Sequence, residues 1–466
     1  MEAHSLRRKV RIFSCLADVV SAAGAWTILF FSRKIWAETR LMGMPAPLES
    51  DQNFYLGLAL TVFYWLGLFY GAGLYQDPFR ISRLQALGLN FSLGIGGSIL
   101  IFLVLFLDDL VPDYRWYYFH LCLYGGVFLV FSFLFRLSIL TIFHRLIAAG
   151  KAGFPTVLLM PAAQAEKWAL SLTMPGRRAG HKVLGYFAPD DSSSSSLPHL
   201  GPWREAAQFI LCHGVEEVIV DHSLRSDPIV TQLYGTPVRL RMIPENGELL
   251  TGSVRQSALF GALLVDFVPV SMPHWQQVIK RAFDVGAALA VLTLGAPLLI
   301  AIALWVRSDG HPALFTQERI GRYGKPFTIL KFRTMRPDAE AEGPALSRAD
   351  DPRITPVGRI LRKYRLDELP QFINVLRGDM SLVGPRPERR HFIDQIVQVA
   401  PQYRFLLRVR PGITSWGMVM YGYASSVPEM LKRMRYDILY VENMSLALDL
   451  RILLHTVLTV LRGEGK

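Results

Sequence analysis

The stretch Tyr364–Glu388, "YRLDELPQFINVLRGDMSLVGPRPE", sets two adjacent carboxylates, Asp367 and Glu368, among cations. Arg362, Lys363 and Arg365 lie just upstream, Arg377 downstream, and Arg386 within "GPRP". Pro370, the apolar Phe372, Ile373, Val375 and Leu376, and then Gly378 predict a short helix with Pro in its first turn and Gly just past its end. Both carboxylates would sit at its N-terminus, where backbone N–H groups and the dipole favour negative charge. Alone, that pattern describes a cap, with Asp367 as the N-cap residue. The surrounding cations point further. Guanidinium groups bind phosphate in bidentate fashion, and a carboxylate amid positive charge stays ionised and nucleophilic near neutral pH. A second carboxylate beside it suits Mg²⁺, which is usually held by one or two carboxylates plus substrate phosphates. These are the parts of phosphoryl transfer through an aspartyl-phosphate.

The elements that must position this segment differ along the chain. The 466 residues are 51% hydrophobic with net charge +12, and the mean hydropathy is +0.27. Length suggests about three domains. Positive hydropathy in a basic chain points to membrane segments, and the surplus of Lys and Arg suits anionic lipid head groups or a phosphorylated substrate. No zinc-finger spacing or other nucleic-acid motif occurs, so nucleic acid is not an expected partner. Cys15, Cys122 and Cys212 are far apart and lack CxxC spacing; they predict buried thiols rather than a disulfide frame or metal site. The basic start "LRRKVR" runs into an apolar stretch without a small-residue cleavage site, so no cleavable signal is expected.

Four stretches, approximately Ile12–Phe31, Phe54–Tyr75, Leu84–Leu107 and Tyr117–Phe143, are long and apolar enough to span a bilayer, with Arg136 snorkelling. The connections "GLYQDPFRISR" and "HRLIAAGKAG" are basic while "LDDLVPDYR" is acidic. With Arg7, Arg8, Lys9 and Arg11 ahead of the first span, both ends of this bundle are expected in the cytoplasm. From about Gly150 the pattern becomes α/β: strands at Thr156–Met160 and Val215–Ser223, a helix in "EKWALSLT", and a flexible loop at Ser192–Ser196. The region resembles the Rossmann-like domain that often follows four spans in bacterial polysaccharide enzymes. Its first strand, however, leads into "PAAQAE" rather than G-x-G-x-x-G, so a bound dinucleotide is not expected and a structural or dimerising role is favoured.

The third part begins near Pro273. Its apolar run Ala282–Val306 would measure roughly 37 Å as a straight helix, enough for a fifth span across about 30 Å of hydrocarbon. Positive charge on both flanks (Lys280 and Arg281 before; Arg307, Arg319, Arg322 and Lys325 after) and Pro297 inside the run predict instead a bent segment that enters the membrane and returns. The tail "SLALDLRILLHTVLTVLRGEGK" alternates apolar residues with Asp449, Arg451 and His455, as an interfacial helix would.

Residues 280–466 resemble the catalytic domain of the bacterial sugar transferases, the polyprenol-phosphate phosphoglycosyltransferases. "KRAFDV", "FTQERIGRYGKPFTILKFRTM", "DPRITPVGRILRKYRLDELPQFINVLRGDMSLVGPRPE" and "VRPGIT" follow that family's pattern in order. With the spans and the middle domain, the whole chain is similar to the long members, which initiate O-antigen, capsule or exopolysaccharide units. The resemblance implies a four-span bundle (1–148), a Rossmann-like α/β domain (149–265) and a mainly α monotopic catalytic domain (273–466) with a re-entrant membrane helix broken at Pro297. It implies a multi-pass protein of the bacterial inner membrane, with the catalytic domain on its cytoplasmic face and a possible homodimer.

The resemblance also implies roles. Asp367 would attack a UDP-sugar, release UMP and carry the phosphosugar until undecaprenyl phosphate accepts it. Glu368 would assist with Mg²⁺, held by Asp367 and Glu368. Arg362 would hold a phosphate of the polyprenol, and Arg386, between Pro385 and Pro387, would face the nucleotide. Lys331 and Arg333 of "KFRTM" are further phosphate candidates or plain surface charges. Two departures stand out. Ala296 precedes Pro297 where the family commonly has Ser, and "SWGMVMYGYASS" (Ser415–Ser426) replaces "GLWQVSGR" after "RPGIT", which leaves the hexose open. A membrane-anchored nucleotide-sugar dehydratase would need the glycine fingerprint and a Tyr-x-x-x-Lys pair; neither occurs. A non-catalytic scaffold would not need intact "LDELPQ" and "GPRP".

Overall fold

A computed structural model describes residues 3–39, 43–45, 47–76, 78–79, 83–105, 113–173, 180–189, 196–224, 227–243, 264–266, 272–339, 351–422 and 424–462. Ser192–Ser195, most of the acidic connection at 107–115 and the domain junction at 267–271 lie outside these residues. The chain divides into two units: Met1–Pro155 with Trp168–Lys182 and Phe260–Ala262, and Thr156–Lys167 with Val183–Leu259 and Leu263–Lys466.

The first unit is helical. Helices α1 (Ala3–Arg33), α2 (Gln52–Ala72), α3 (Arg83–Leu105) and α4 (Arg115–Ala148) form where the apolar runs are longest. All four are long and apolar enough to cross a membrane, which marks the chain as a membrane protein. Trp65 stacks on Phe128 with ring centroids 3.7 Å apart and donates to Tyr124 Oη at 2.8 Å. Gly57 leaves room for the Trp26 indole, which would lie 1.9 Å from a Cβ there. Arg136 does not snorkel. It is buried, with Nη2 2.6 Å from Asp18 Oδ2 and Nε donating to Asn90 Oδ1. Snorkelling gives way because a carboxylate on α1 and an amide on α3 meet the guanidinium inside the bundle. The thiols also differ from expectation. All three cysteines are free, but Cys122 and Cys212 are exposed and Cys15 is half-buried; the long apolar helices carrying Cys15 and Cys122 turn part of their surface outward rather than into a core, and Cys212 ends the short helix Ala206–Cys212.

A mixed five-stranded sheet follows the four helices in the chain. Strand β1 (Phe154–Leu159) leads to α5 (Ala162–Thr173) and β2 (His181–Phe187), followed by α6 (Ala206–Cys212), β3 (Glu217–Val220), α7 (Pro228–Leu233), β4 (Arg239–Met242) and β5 (Val265–Asp266). The order is β2-β1-β3-β4-β5, with β1, β3 and β4 parallel and β5 antiparallel. Val157, Leu159, Val218, Val220 and Leu240 are buried, the continuous apolar pattern of strands covered on both faces. Asp266 pins β5 by accepting from Arg239 at 2.7 and 2.6 Å.

Helix α8 (His274–Leu294) then meets α9 (Ala296–Arg307) at a bend of 65°. The break falls at Gly295, where a Cβ would lie 2.4 Å from Val291 O, and Pro297 occupies the first turn of α9. Proline lacks the N–H that would continue α8 and suits a helix start, so the residue expected to break the run begins the next helix instead. The hairpin β6 (Leu314–Ile320) and β7 (Pro326–Phe332), α10 (Pro356–Lys363), α11 (Gln371–Arg377), β8 (Ser381–Val383), α12 (Arg390–Val399), β9 (Gly412–Thr414), α13 (Trp416–Met420), α14 (Val427–Glu442) and α15 (Leu446–Leu461) complete the unit. Its core gathers Ala288, Val375, Met380, Ile396, Tyr440 and Ile452. On α15, Asp449 is buried and paired with Lys280 at 2.6 Å, so that helix is anchored to α8 by a residue expected on its wet face.

Candidate active site

Side chains two apart on a strand share a face. Phe315, Gln317 and Arg319 of β6, with Ile329 and Lys331 of β7 and Arg333 just beyond it, therefore line one cavity of about 310 Å³. Opposite them stands the carboxylate turn. Thr355 caps α10 by accepting from Gly358 N at 2.9 Å, and Pro356 fits its first position. Gly358 packs so close to Thr334 that a Cβ would lie 2.1 Å from its carbonyl oxygen. This contact brings Arg362 Nε to 2.9 Å from Thr334 Oγ1.

After α10 the chain reverses at Arg365, which adopts a left-handed conformation (φ 54°) uncommon for a residue with a side chain. The reversal starts a separate 3₁₀ turn, Leu366–Glu368, ahead of α11. Asp367 therefore does not cap α11, whose N-cap is Pro370 without a side-chain bond. Gly378, at φ 92°, ends α11 as the sequence predicts. Asn374, fully buried, bonds Leu330 N and Thr328 O and so fixes α11 against β7.

Asp367 and Glu368 are both buried side chains facing the cavity. Lys331 Nζ donates to Glu368 Oε1 at 2.9 Å, and Arg386 Nη1 lies 3.6 Å from the same oxygen. Burial alone would raise the Glu368 carboxyl, but Lys331, then Arg386 and Arg365, outweigh it and hold it below the usual range. Asp367 goes the other way: burial, then the charge of Glu368, raises it, against Lys331, Arg362 and Arg386. The cations thus serve Glu368 first, whereas the sequence suggested that they would keep Asp367 ionised. Burial also depresses Lys331, opposed by Glu368.

Six of the residues singled out by sequence, Asp367, Glu368, Lys331, Arg333, Arg362 and Arg386, line this one cavity. Pro385 and Pro387 do not; they are buried, and their carbonyls accept from Gly412 N and Arg319 Nη1, which fixes the backbone on either side of Arg386. Arg333 spends its guanidinium on Pro312 O, Val306 O and Asp309, tying the end of α9 to the cavity wall. Sequence reasoning missed Glu388 and Arg433, a buried ion pair at the cavity edge joined by Arg319 Nη1 at 3.5 Å. Glu388 directly follows "GPRP", the one signal that could have flagged it. Arg386 also donates to Met418 Sδ at 3.2 Å, and Asp437, pushed up to about 6 by burial, accepts from Gly417 N at 2.8 Å.

No cluster of three or more metal-ligating side chains occurs among the described residues. A pair of adjacent carboxylates nonetheless fits Mg²⁺, which commonly takes one or two carboxylates and completes its shell with water and substrate phosphate.

Comparison with known proteins places these observations. The bacterial sugar transferase family profile matches residues 275–463. The chain is 40% identical over 224 residues to the UDP-N-acetylgalactosamine-undecaprenyl-phosphate N-acetylgalactosaminephosphotransferase of Aeromonas hydrophila, covering 48% of this chain and 52% of that protein. It is 35% identical over 285 residues to the UDP-glucose:undecaprenyl-phosphate glucose-1-phosphate transferase of Escherichia coli K12, covering 60% and 61%. It is 45% identical over 191 residues to the enzyme of the same description from Caulobacter vibrioides, covering 40% of this chain and 71% of that protein. The chain thus spans between half and two thirds of the length of the first two relatives. On the strength of the matched C-terminal domain and the cavity it builds, the chain belongs to the bacterial sugar transferase family.

Proposed function

We propose that this protein transfers a sugar 1-phosphate from a UDP-hexose to undecaprenyl phosphate, through a phosphosugar carried on Asp367. The observation that carries the reading is a buried Asp367, beside an ion-paired Glu368, facing a cavity walled by Lys331, Arg319, Arg362 and Arg386. A carboxylate oxygen of Asp367 attacks the sugar-bearing phosphorus, and the bond from that phosphorus to the bridging oxygen breaks as UMP leaves with the electron pair. A phosphate oxygen of the polyprenol then attacks the same phosphorus and displaces Asp367, giving the diphosphate-linked sugar. Guanidinium groups stabilise charge that develops on the phosphoryl oxygens. Arg386, held against Glu368, faces the nucleotide phosphates, and Arg362, held by Thr334, meets the polyprenol phosphate. Mg²⁺, when bound by Asp367 and Glu368, would neutralise phosphate charge.

The same reading takes residues 149–265 as a Rossmann-like domain without dinucleotide function, and the bent pair α8–α9 as a segment that enters the cytoplasmic leaflet and returns. Five spans from a cytoplasmic N-terminus would put Asp367 on the far side from UDP-sugars. Relatives are described with different sugars, N-acetylgalactosamine and glucose, so the hexose is set by experiment. Purified full-length protein is incubated with UDP-glucose, UDP-galactose and the UDP-N-acetylhexosamines. Intact mass with the right donor alone should show a hexose-phosphate adduct, formed with release of one UMP, in the parent and none in Asp367→Asn, and adding undecaprenyl phosphate should discharge it as the diphosphate-linked sugar. Parent-level turnover by Asp367→Asn would overturn the covalent route.

A further inference from the structure

A second cavity, of about 170 Å³, shares no lining residue with the first. Lys280, Arg281 and Asp284 of α8, Arg322 of the β6–β7 turn, and Arg408 and Arg410 ahead of β9 line it, five cations against one carboxylate. The carboxylate is already committed: Asp284 accepts from Ser381 Oγ at 2.7 Å and Leu382 N at 3.2 Å. Lys280 is neutralised by Asp449. Among the described residues, the hydrogen bonds of the four arginines go to backbone carbonyls and one hydroxyl, and Arg322 also lies over the Tyr323 ring. Arg281 donates to Val375 O and Leu376 O, Arg322 to Arg408 O and Tyr323 Oη, Arg408 to Tyr234 O and Val238 O, and Arg410 through Nε to Gly378 O. Among the described residues, Arg410 Nη1 and Nη2 have no hydrogen-bond partner.

Carbonyl partners leave the net charge of such a cluster in place. Like charges crowded in a half-buried space repel one another, and a bound anion relieves that repulsion. Burial, then Arg322 and Arg281, lowers the Arg410 pKa, and Asp284 opposes them without cancelling them. We propose that this cavity is an anion site separate from the active site, taking a phosphoryl group through Arg281, Arg322 and Arg410. Planar guanidinium forks match phosphate oxygens in number and spacing, and the volume equals several waters. On α8 the exposed apolar residues Trp275, Ile279 and Phe283 lie roughly 200° around the helix from Gln277, Arg281 and Val285. The cavity therefore lies away from the apolar stripe, which favours a water-borne phosphoryl compound over a lipid head group.

The test uses the full chain in phosphatidylcholine nanodiscs without Mg²⁺, with inorganic pyrophosphate as probe and hydrogen-exchange mass spectrometry as readout. Pyrophosphate should protect peptides covering 276–284 and 408–414, equally in the parent and in Arg386→Gln. Arg410→Gln should weaken that protection about tenfold or more while leaving the response of 331–333 unchanged. Arg322→Gln, an exposed position away from α11, should weaken it too and serves if Arg410→Gln does not fold. A parallel arm with phosphatidylglycerol nanodiscs and no pyrophosphate separates the sources: protection in that arm alone identifies a lipid phosphate. Protection absent from both arms, or lost in Arg386→Gln, overturns the proposal.

Discussion

Lys331 Nζ stands 2.9 Å from Glu368 Oε1, deep in the cavity, and binds the carboxylate next to the proposed nucleophile rather than the nucleophile itself. Glu368 is thereby a fixed negative charge, and Asp367 must ionise in its presence. The two carboxylates are set apart by their surroundings, as in other sites where neighbouring acids divide their tasks.

Lys331→Met removes the main counter-charge of Glu368 while keeping a similar length. Turnover measured as UMP release should fall by about 10²–10³, the scale of losing one preorganised charged donor. Adduct formation on Asp367 should slow with it. A variant that keeps parent turnover would show that Arg386 alone suffices.

The pH dependence follows from Asp367, pushed up to about 6 by burial and by Glu368. Only the ionised carboxylate attacks phosphorus, so kcat/KM should climb as pH rises through about 6 and level off above it. Glu368→Gln removes the like charge, which lowers the Asp367 pKa and moves the rising limb to lower pH. A limb that stays in place in Glu368→Gln would assign it to another group.

In the membrane bundle, Arg136→Leu leaves Asp18 buried without its cation and should destabilise the protein by about 3–5 kcal/mol. Asp18→Leu should act similarly. The double variant should be much less destabilised than the sum of the two, a coupling read from thermal unfolding in detergent.

For the α8–α9 bend, single cysteines replace Pro273 and His311, both exposed, in a background lacking Cys15, Cys122 and Cys212. Both should react with a membrane-impermeant maleimide only when it reaches the cytoplasmic side. Labelling of His311→Cys from the periplasm would make the pair an ordinary broken span.

Local patterns were legible where one element carries the whole signal. The four long apolar helices, the αL glycine after α11 and the nearness of Arg362, Asp367, Glu368 and Arg386 follow from runs and motifs close together in the chain. Partnerships across long separations were not. Arg136 meets Asp18 across 118 residues, Arg433 meets Glu388 across 45, and Arg333 reaches back to Val306 and Asp309 of the preceding helix and turn. A charged residue has the same local appearance whether it faces solvent, ligand or a buried partner, and only the packed chain distinguishes them. Asp367 illustrates this: cations flank it and Glu368 in sequence, yet burial, which the sequence does not display, is the largest cause that raises its carboxyl.

Gly417 shapes how this protein can be re-engineered. A Cβ there would lie 2.6 Å from Arg433 Cγ and 2.9 Å from Arg433 O, with Asp437 at 3.0 Å. The "GLWQVSGR" pattern of relatives, set after "RPGIT", drops a tryptophan on this position. A chimera that transplants the relatives' loop alone would collide with α14 and dislodge the Arg433–Glu388 pair at the cavity edge. Loop and helix are packed as one piece, so a hybrid that exchanges the loop needs residues 415–442 moved together.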